Sequence, residues 1–437
     1  MTKSTKNQLF SRILIFLVVI ILIFSLVGCK KGKQQEDEGY ETEPGLIPPD
    51  SGFIAVTSHV TREPNKYGSE FNDRKEIMSL TKEAGMGFIR TGFKWADVEA
   101  EKGVWNWELT DKVVKDAEKN GVRILALVHR PPLETWAYPA HEHLDGWLIF
   151  LDKVVGRYGD YIVDWEIWNE PNVVSGKYWP QDALPDEYAE LVIKSAKLIK
   201  EKQPESTVLL GGLATGKKAD AFGLWEGLFP LGVLDYVDGV AFHPYEYPAH
   251  ELFSFDSQLK NLISQYSNSK EELWITEFGR HSPYEEDPRG RGASYEFQAD
   301  INMATALAFW ADGGEHFFIY KLIDQAVYNP NTAKEVIEKH HSSFFGLLKK
   351  DLTPKPAFNA MKWLAGKLED LAYVSHQEFG DGALIEAIDS GDKKVYFTWG
   401  ETAVNEAKSK GLSAETYSEQ VDISNLDNYY DKVLFWR

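Results

Sequence analysis

The chain has 437 residues, 47 Lys and Arg against 67 Asp and Glu, a formal net charge of −20, 14 Trp and one Cys. A single Cys excludes a disulfide framework, a multi-cysteine zinc site and a thiol redox pair, and the acidic balance argues against nucleic acid as a partner, because phosphate contact needs a basic surface. With 43% hydrophobic residues the chain can build a large core, and its length fits either several domains or one large α/β barrel with an appendage.

The first element is a targeting segment, residues 1–28. Lys3, Lys6 and Arg12 form a basic start, residues 13–24 (ILIFLVVIILIF) an apolar run, and Leu26-Val27-Gly28-Cys29 follow. From the residues alone this is a cleaved signal or an uncleaved anchor. The Leu-Val-Gly-Cys order resembles the lipobox of bacterial lipoproteins. That resemblance implies cleavage before Cys29, acylation of Cys29, a lipid anchor in the membrane and an extracytoplasmic location. Residues 29–51 are polar, end in prolines and read as a solvated tether.

From residue 52, short apolar runs alternate with amphipathic stretches. The predicted strands are GFIAVTSHV (52–60), GFIRTGFKW (87–95), RILALV (123–128), DWEIWNEPN (164–172), TVLLGGLAT (207–215), VDGVAFHPY (237–245), ELWITEFGR (272–280) and HFFIYKLID (316–324). Residues 185–204 repeat apolar side chains at helical spacing between two prolines, and 144–159 is a helix ending at a glycine. Strand–helix alternation predicts a parallel sheet, and eight such units fit a closed (β/α)8 TIM barrel over 52–370. An open doubly wound sheet would want a Gly-rich turn after the first strand, and none is present. Residues 371–437 change texture. ALIEAI, KKVYFTW, EQVDIS and KVLFWR read as short strands of a small antiparallel β appendage.

In a barrel of this kind chemistry sits at the C-terminal strand ends. Asn169-Glu170-Pro171 ends the fourth strand and Glu277 the seventh. Two carboxylates converging there can flank a glycosidic bond, one to protonate the leaving oxygen and the other to attack or to activate water. Read by itself, the pair could equally hold a metal or form a structural ion pair.

RTGFKWADVEAEKGVWNWE (90–108), DWEIWNEPN (164–172), GVAFHPY (239–245) and WITEFG (274–279), in this order, are similar to the motifs of clan A glycoside hydrolases, closest to family 39 and related endo-acting groups. The resemblance spans about 52–370. It implies a retaining hydrolase of β-linked glycosides or polysaccharides. Glu170 would be general acid/base and Glu277 nucleophile. Asn169 would bind the sugar 2-hydroxyl, Tyr245 would donate to Glu277, and Arg90 would keep Glu277 ionised. Glu170, taken to lack such donors, would keep its proton near neutral pH. His129 and His243 are further candidates for substrate binding. Glu166, four residues below Glu170, reads as a polar member of the barrel interior. The other histidines lack a partner carboxylate at ligand spacing, so neither metal nor cofactor is assigned.

The family commonly ends strand eight with Trp. Here Tyr320 or Lys321 takes that place, Tyr320 as a sugar platform or Lys321 as a cation suited to uronic acids. Trp95, Trp136, Tyr138, Trp168, Trp179, Tyr247 and Tyr284 are expected to divide between groove and core. Two rivals stand beside the enzyme: a catalytically silent carbohydrate-binding lipoprotein on the same fold, and a two-lobed solute-binding lipoprotein. The sugar, the linkage and the oligomeric state are not written in these motifs.

Overall fold

The computed structural model of the protein describes residues 52–60, 74–173, 179–180, 182, 184–216, 219–268, 272–282, 294–325 and 341–437. The signal segment, the tether, Cys29 and Tyr284 lie outside the described residues. Among the described residues no helix is long and apolar enough to cross a membrane.

Eight parallel strands close into a barrel: β1 (Ile54–Thr57), β2 (Phe88–Lys94), β3 (Arg123–His129), β4 (Asp164–Asn169), β5 (Thr207–Ala214), β6 (Gly239–His243), β7 (Glu272–Phe278) and β8 (His316–Tyr320). Each pairs with the next, and β8 returns to β1 through Ile54 opposite Phe317 and Thr57 opposite Tyr320. The predicted runs overshoot at residues 170–172 and 279–280, where the chain has left the ladder to build the barrel mouth.

The outer helices follow from their stripes. In Asp186–Lys202, the buried side chains Tyr188, Leu191, Val192, Ser195 and Ile199 recur at helical spacing and face the sheet. The helix Leu144–Tyr158 does end at Gly159, but with φ −65, not in a left-handed cap. A Cβ on Gly159 would stand 2.6 Å from the Val155 carbonyl oxygen and 2.9 Å from the Gln203 amide nitrogen. Close approach, not a positive φ, requires glycine there.

The floor of the barrel is a buried cluster of Ala55, Phe88, Leu125, Leu209, Ala241, Trp274 and Phe318. The two-residue period of a strand then repeats the inward direction one step higher. It brings up Arg90 from β2, His243 from β6, Thr276 from β7 and Tyr320 from β8. A hydrophobic floor thus carries a polar layer, and the mouth opens above it. Contacts across the barrel answer the question at strand eight. The Tyr320 ring stands edge-on to Tyr245 at 6.2 Å and to Phe345 at 5.8 Å. Lys321 is buried, with Nζ 5.6 Å from the Tyr320 ring centroid, and its charge acts on Asp324. Asp324 is itself ion-paired with Lys355 at 2.7 Å.

The C-terminal sheet has five strands in the order β12-β13-β11-β10-β9, all antiparallel: β9 (Leu371–Phe379), β10 (Gly382–Asp389), β11 (Lys394–Trp399), β12 (Ala414–Glu415) and β13 (Leu434–Trp436). Three of the four predicted segments fall on strands β10, β11 and β13. EQVDIS (419–424) does not: it is turn and isolated bridge, with Gln420 opposite Glu415 and the Val421 amide donating to the Ala414 carbonyl. Three elements were not foreseen: the edge strand β9, the two-residue strand β12 and the helix Glu401–Lys408. That helix buries Ala403, Val404 and Ala407 against a cluster with Leu434 and Trp436. The sheet meets the barrel's outer helices through Phe253 stacked on His376 at 4.2 Å and through the Val433 amide, which donates to Asp300 at 3.1 Å.

Candidate active site

Strands do not normally point consecutive side chains the same way, yet the mouth is built on two such pairs. At the end of β4, Trp168 and Glu170 have φ of 75° and 46°. Left-handed backbone at non-glycine residues is costly and is found where the surroundings impose it. It breaks the alternation so that Asn169 and Glu170 both reach the site. The neighbouring strand accommodates this with a glycine, since a Cβ on Gly211 would lie 2.2 Å from the Ile167 carbonyl oxygen and 2.4 Å from that of Trp168. On β7 the pairing with β8 shifts register between Ile275 and Phe278. Thr276 and Glu277 thereby both turn inward, the re-aiming that ladder irregularities produce.

Arg90 ties these pieces together. It is buried and donates through Nε to Glu166 Oε2 (2.5 Å), through Nη2 to Glu166 Oε1 (3.1 Å) and Asn169 Oδ1 (2.7 Å), and through Nη1 to Glu277 Oε1 (2.5 Å). Burial alone would lower its pKa, but the charges of Glu166 and Glu277 and their hydrogen bonds outweigh that and hold it above its ordinary value. Because Arg90 only donates, the Asn169 amide must turn its oxygen to Arg90, which leaves its NH2 free to face the mouth. The second oxygen of Glu277 accepts from the Tyr245 hydroxyl at 3.0 Å. Burial, then the charge of Glu277, pushes Tyr245 well above its usual pKa, so the hydroxyl remains a donor.

Glu170 has a partner that the sequence reading did not give it. His243 Nδ1 lies 2.8 Å from its Oε1. Burial raises the Glu170 pKa, but the hydrogen bond and charge of His243, followed by the charge of Arg90, bring it below the usual value. The expectation that Glu170 lacks donors is therefore corrected. His243 Nε2 in turn lies 3.0 Å from Thr276 Oγ1, which donates to Glu166 Oε1 at 3.0 Å. Gly212 on β5 makes room for this contact. A Cβ there would stand 2.3 Å from His243 Nε2 and 2.8 Å from Thr276 Oγ1.

Arg90, Asn169, Glu170, His243, Tyr245 and Glu277 thus form one connected group, with Tyr320 against Tyr245 at its edge. His129 is buried at the end of β3 with its ring over Gly92, the position above Arg90 on β2, where a Cβ would come within 2.8 Å of Nε2. Trp95, Trp168 and Trp179 are core, Trp95 edge-on and Trp168 tilted against Trp147 and Trp179 edge-on against Trp168, while Trp136, Tyr138 and Tyr247 are half-buried. The sequence reading missed three residues. His59 meets the Tyr320 hydroxyl at 3.3 Å. Thr276 sits inside the WITEFG motif, and Gly212 belongs to the Gly pair of TVLLGGLAT, a sign in a strand that another group approaches closely.

Glu170, His243 and Glu277 each present one ligand-type atom, all within 4.8 Å of one another. A cation could in principle use such a set, but both Glu277 oxygens already accept, from Arg90 and Tyr245, and the guanidinium places a fixed positive charge beside them. The arrangement suits two-carboxylate chemistry better than a metal.

By sequence, the family model described as Cellulase (glycosyl hydrolase family 5) matches residues 50–311. No curated protein matches. By structure, the chain is similar to a family 39 glycoside hydrolase from Bacteroides cellulosilyticus WH2, at 19% identity and a TM-score of 0.64 over 90% of this chain and 81% of that one. A family 39 enzyme from Xanthomonas axonopodis pv. citri is 18% identical with a TM-score of 0.54 over 81% and 73% of the two chains. A monomeric β-xylosidase from Caulobacter crescentus CB15 is 18% identical with a TM-score of 0.52 over 81% and 74%. At these identities the likeness is one of fold. The likeness to the family 39 enzymes is thus one of barrel fold, whereas the matching sequence model is that of family 5.

Proposed function

Because the chain belongs to the cellulase family, glycosyl hydrolase family 5, and is a clan A glycosidase, we propose that it hydrolyses β-linked glycosides by double displacement, with Glu277 as nucleophile and Glu170 as acid/base. The observation that carries this reading is the spacing of the two acids. One oxygen of each lies within 4.8 Å of the other. Retaining enzymes hold their carboxyls about 5–5.5 Å apart and inverting ones about 6.5–9.5 Å, the larger gap making room for a water.

The two acids also differ in surroundings, as their roles require. Glu277 receives two donors, Arg90 and Tyr245, which orient one of its oxygens for in-line attack. In the first step that oxygen bonds the anomeric carbon while the glycosidic C–O bond breaks, and the leaving oxygen takes a proton delivered by Glu170. In the second, Glu170 removes a proton from water, the water oxygen attacks the same carbon, and the Glu277 carboxylate leaves. Asn169, its amide oxygen held by Arg90 at 2.7 Å, offers its NH2 to the sugar 2-hydroxyl. Tyr320 supplies an aromatic face beside Tyr245 where a charged Lys321 would have favoured uronic acids. Neutral sugars are the expected substrates. The closed barrel does not accommodate the two-lobed solute-binding rival, and no observation favours the silent one.

Proton NMR of the anomer formed first from an aryl glycoside tests the reaction class. The β-anomer is expected from a β-glycoside, and initial release of the α-anomer would overturn the double displacement.

We extend the proposal to location, with the motive in the Leu26-Val27-Gly28-Cys29 order: a chain cleaved before Cys29 and anchored by its acylated side chain at the cell surface. Mass spectrometry of the mature N-terminus should show lipid on Cys29, and an intact Met1 would exclude this.

A further inference from the structure

Behind the two acids runs a chain of hydrogen bonds whose direction is forced from one end. Arg90 can only donate, and it engages both oxygens of Glu166. Glu166 Oε1 also accepts from the Gly212 amide at 3.0 Å. So engaged, Glu166 acts as an acceptor. Thr276 Oγ1, at 3.0 Å from that same oxygen, commits its single proton there. Its remaining polar neighbour is His243 Nε2 at 3.0 Å. With the hydroxyl proton already placed, Nε2 must be the donor in this contact. The imidazole can then take up or release a proton only at Nδ1, and Nδ1 faces Glu170 Oε1 at 2.8 Å.

We propose that Thr276, backed by Glu166, is a positioning residue that fixes His243 as the Nε2–H form, so that Glu170 Oε1 and His243 Nδ1 hold one transferable proton between them. This rests on Glu170 being the acid/base. The loaded pair is either a neutral carboxyl hydrogen-bonded to Nδ1 or a carboxylate hydrogen-bonded to an imidazolium. Both deliver the same proton to the leaving oxygen through Glu170. The group thereby accounts for an acid whose own carboxyl His243 holds below the usual range: the proton belongs to the pair. The charged and titratable groups around it are Glu166 and Arg90 below, and Glu277 and Tyr245 beside.

The consequence has a sign. When the proton departs, the Nδ1 lone pair faces the Glu170 carboxylate, an unfavourable contact that draws a proton back and keeps the acid loaded to higher pH. Thr276→Val removes the acceptor for Nε2–H. The emptied pair can then move its remaining imidazole proton to Nδ1, where it hydrogen-bonds the carboxylate. The emptied state becomes more stable, and the acid is lost at lower pH. Thr276→Ser keeps the hydroxyl and should keep the wild-type behaviour.

The test follows kcat/KM against pH for the wild type, Thr276→Val and Thr276→Ser on phenyl and dinitrophenyl β-glycosides. With the phenyl leaving group, which needs a proton, the basic limb of the Val variant should move down by about one pH unit, roughly tenfold in rate at a pH on that limb. The Ser variant should follow the wild type. With the dinitrophenyl leaving group the basic limbs of all three should coincide. A second readout needs no turnover. Nitrogen-15 NMR of histidine-labelled wild type should show His243 protonated at Nε2 at every pH where the protein is folded. A folded Val variant with an unmoved basic limb, or a wild-type His243 with Nε2 unprotonated, overturns the proposal. Should the Val variant fail to fold, the wild-type spectrum decides. Failure of the underlying role shows separately, as equal losses on both leaving groups when Glu170 itself is removed.

Discussion

Glu277→Gly should lose turnover of aryl glycosides by on the order of 10⁵-fold, and sodium azide should restore part of it with a product of inverted anomeric configuration. The size follows from losing a covalent step. Without the carboxylate nothing attacks the anomeric carbon from its side, and its charge no longer stabilises the oxocarbenium-like state. The rescue follows from what remains. Glycine leaves a space the size of the lost side chain, and Arg90 and Tyr245, which contact both Glu277 oxygens, still present donors to an anion placed there. Azide would attack from the nucleophile's side and, with no second displacement, invert the centre. Chromatography and NMR of the azide product check this. Unrescued activity, or a rescued product of retained configuration, would remove Glu277 from the nucleophile's role.

The second large effect is a split. Glu170→Ala should slow cleavage of phenyl glycosides by about 10²–10⁴-fold, the usual worth of a general acid, while the first step on dinitrophenyl glycosides is nearly spared because that phenolate leaves without a proton. Water loses its base in the second step, so a glycosyl-enzyme should accumulate on the activated substrate, and azide, which needs no base, should relieve it. Pre-steady-state bursts and leaving-group dependence give the measurement. His243, at 2.8 Å from Glu170, cannot substitute, because its Nδ1 faces the missing carboxyl and not the substrate. A uniform loss across leaving groups would mean that Glu170 orients the sugar and does not move a proton.

The sequence points to these two acids through the likeness of DWEIWNEPN and WITEFG, taken with two further motifs, to clan A glycoside hydrolases; what is local is their place near strand ends. Glu170 follows β4 and Glu277 lies one residue before the end of β7, and a strand's end fixes the end of the barrel on which a residue lies. Arg90 and Tyr245 entered through the same likeness; two-residue periodicity adds only a direction, from the buried Phe88 to Arg90 and from Ala241 through His243 to the strand end. The partner of Glu170 was not legible. His243 and Glu170 are 73 positions apart. The left-handed φ at Glu170 that turns its carboxyl to the imidazole is imposed by packing against β5, not by the residue's own preference.

The appendage divides along the same line. ALIEAI, KKVYFTW and KVLFWR alternate strongly enough to declare themselves, as strands with one buried face do. β9, LAYVSHQEF, is an edge strand whose side chains are largely exposed, so no apolar period marks it. EQVDIS has the composition of a strand but finds no ladder to join.

By itself, then, the sequence determined the order of the eight barrel strands, because strand periodicity is a property of short segments; the two carboxylates with Arg90 and Tyr245 came only through the likeness of their motifs to clan A glycoside hydrolases, and their roles are the proposal made above. Only the tertiary structure decided that Tyr320 and not Lys321 faces the mouth, that Trp95, Trp168 and Trp179 are core, and that Glu170 shares its surroundings with His243, Thr276 and Glu166. Each of these depends on which strands lie side by side once the barrel closes, and on glycines such as Gly211 and Gly212 that let a neighbour's backbone or side chain come closer than any Cβ would allow.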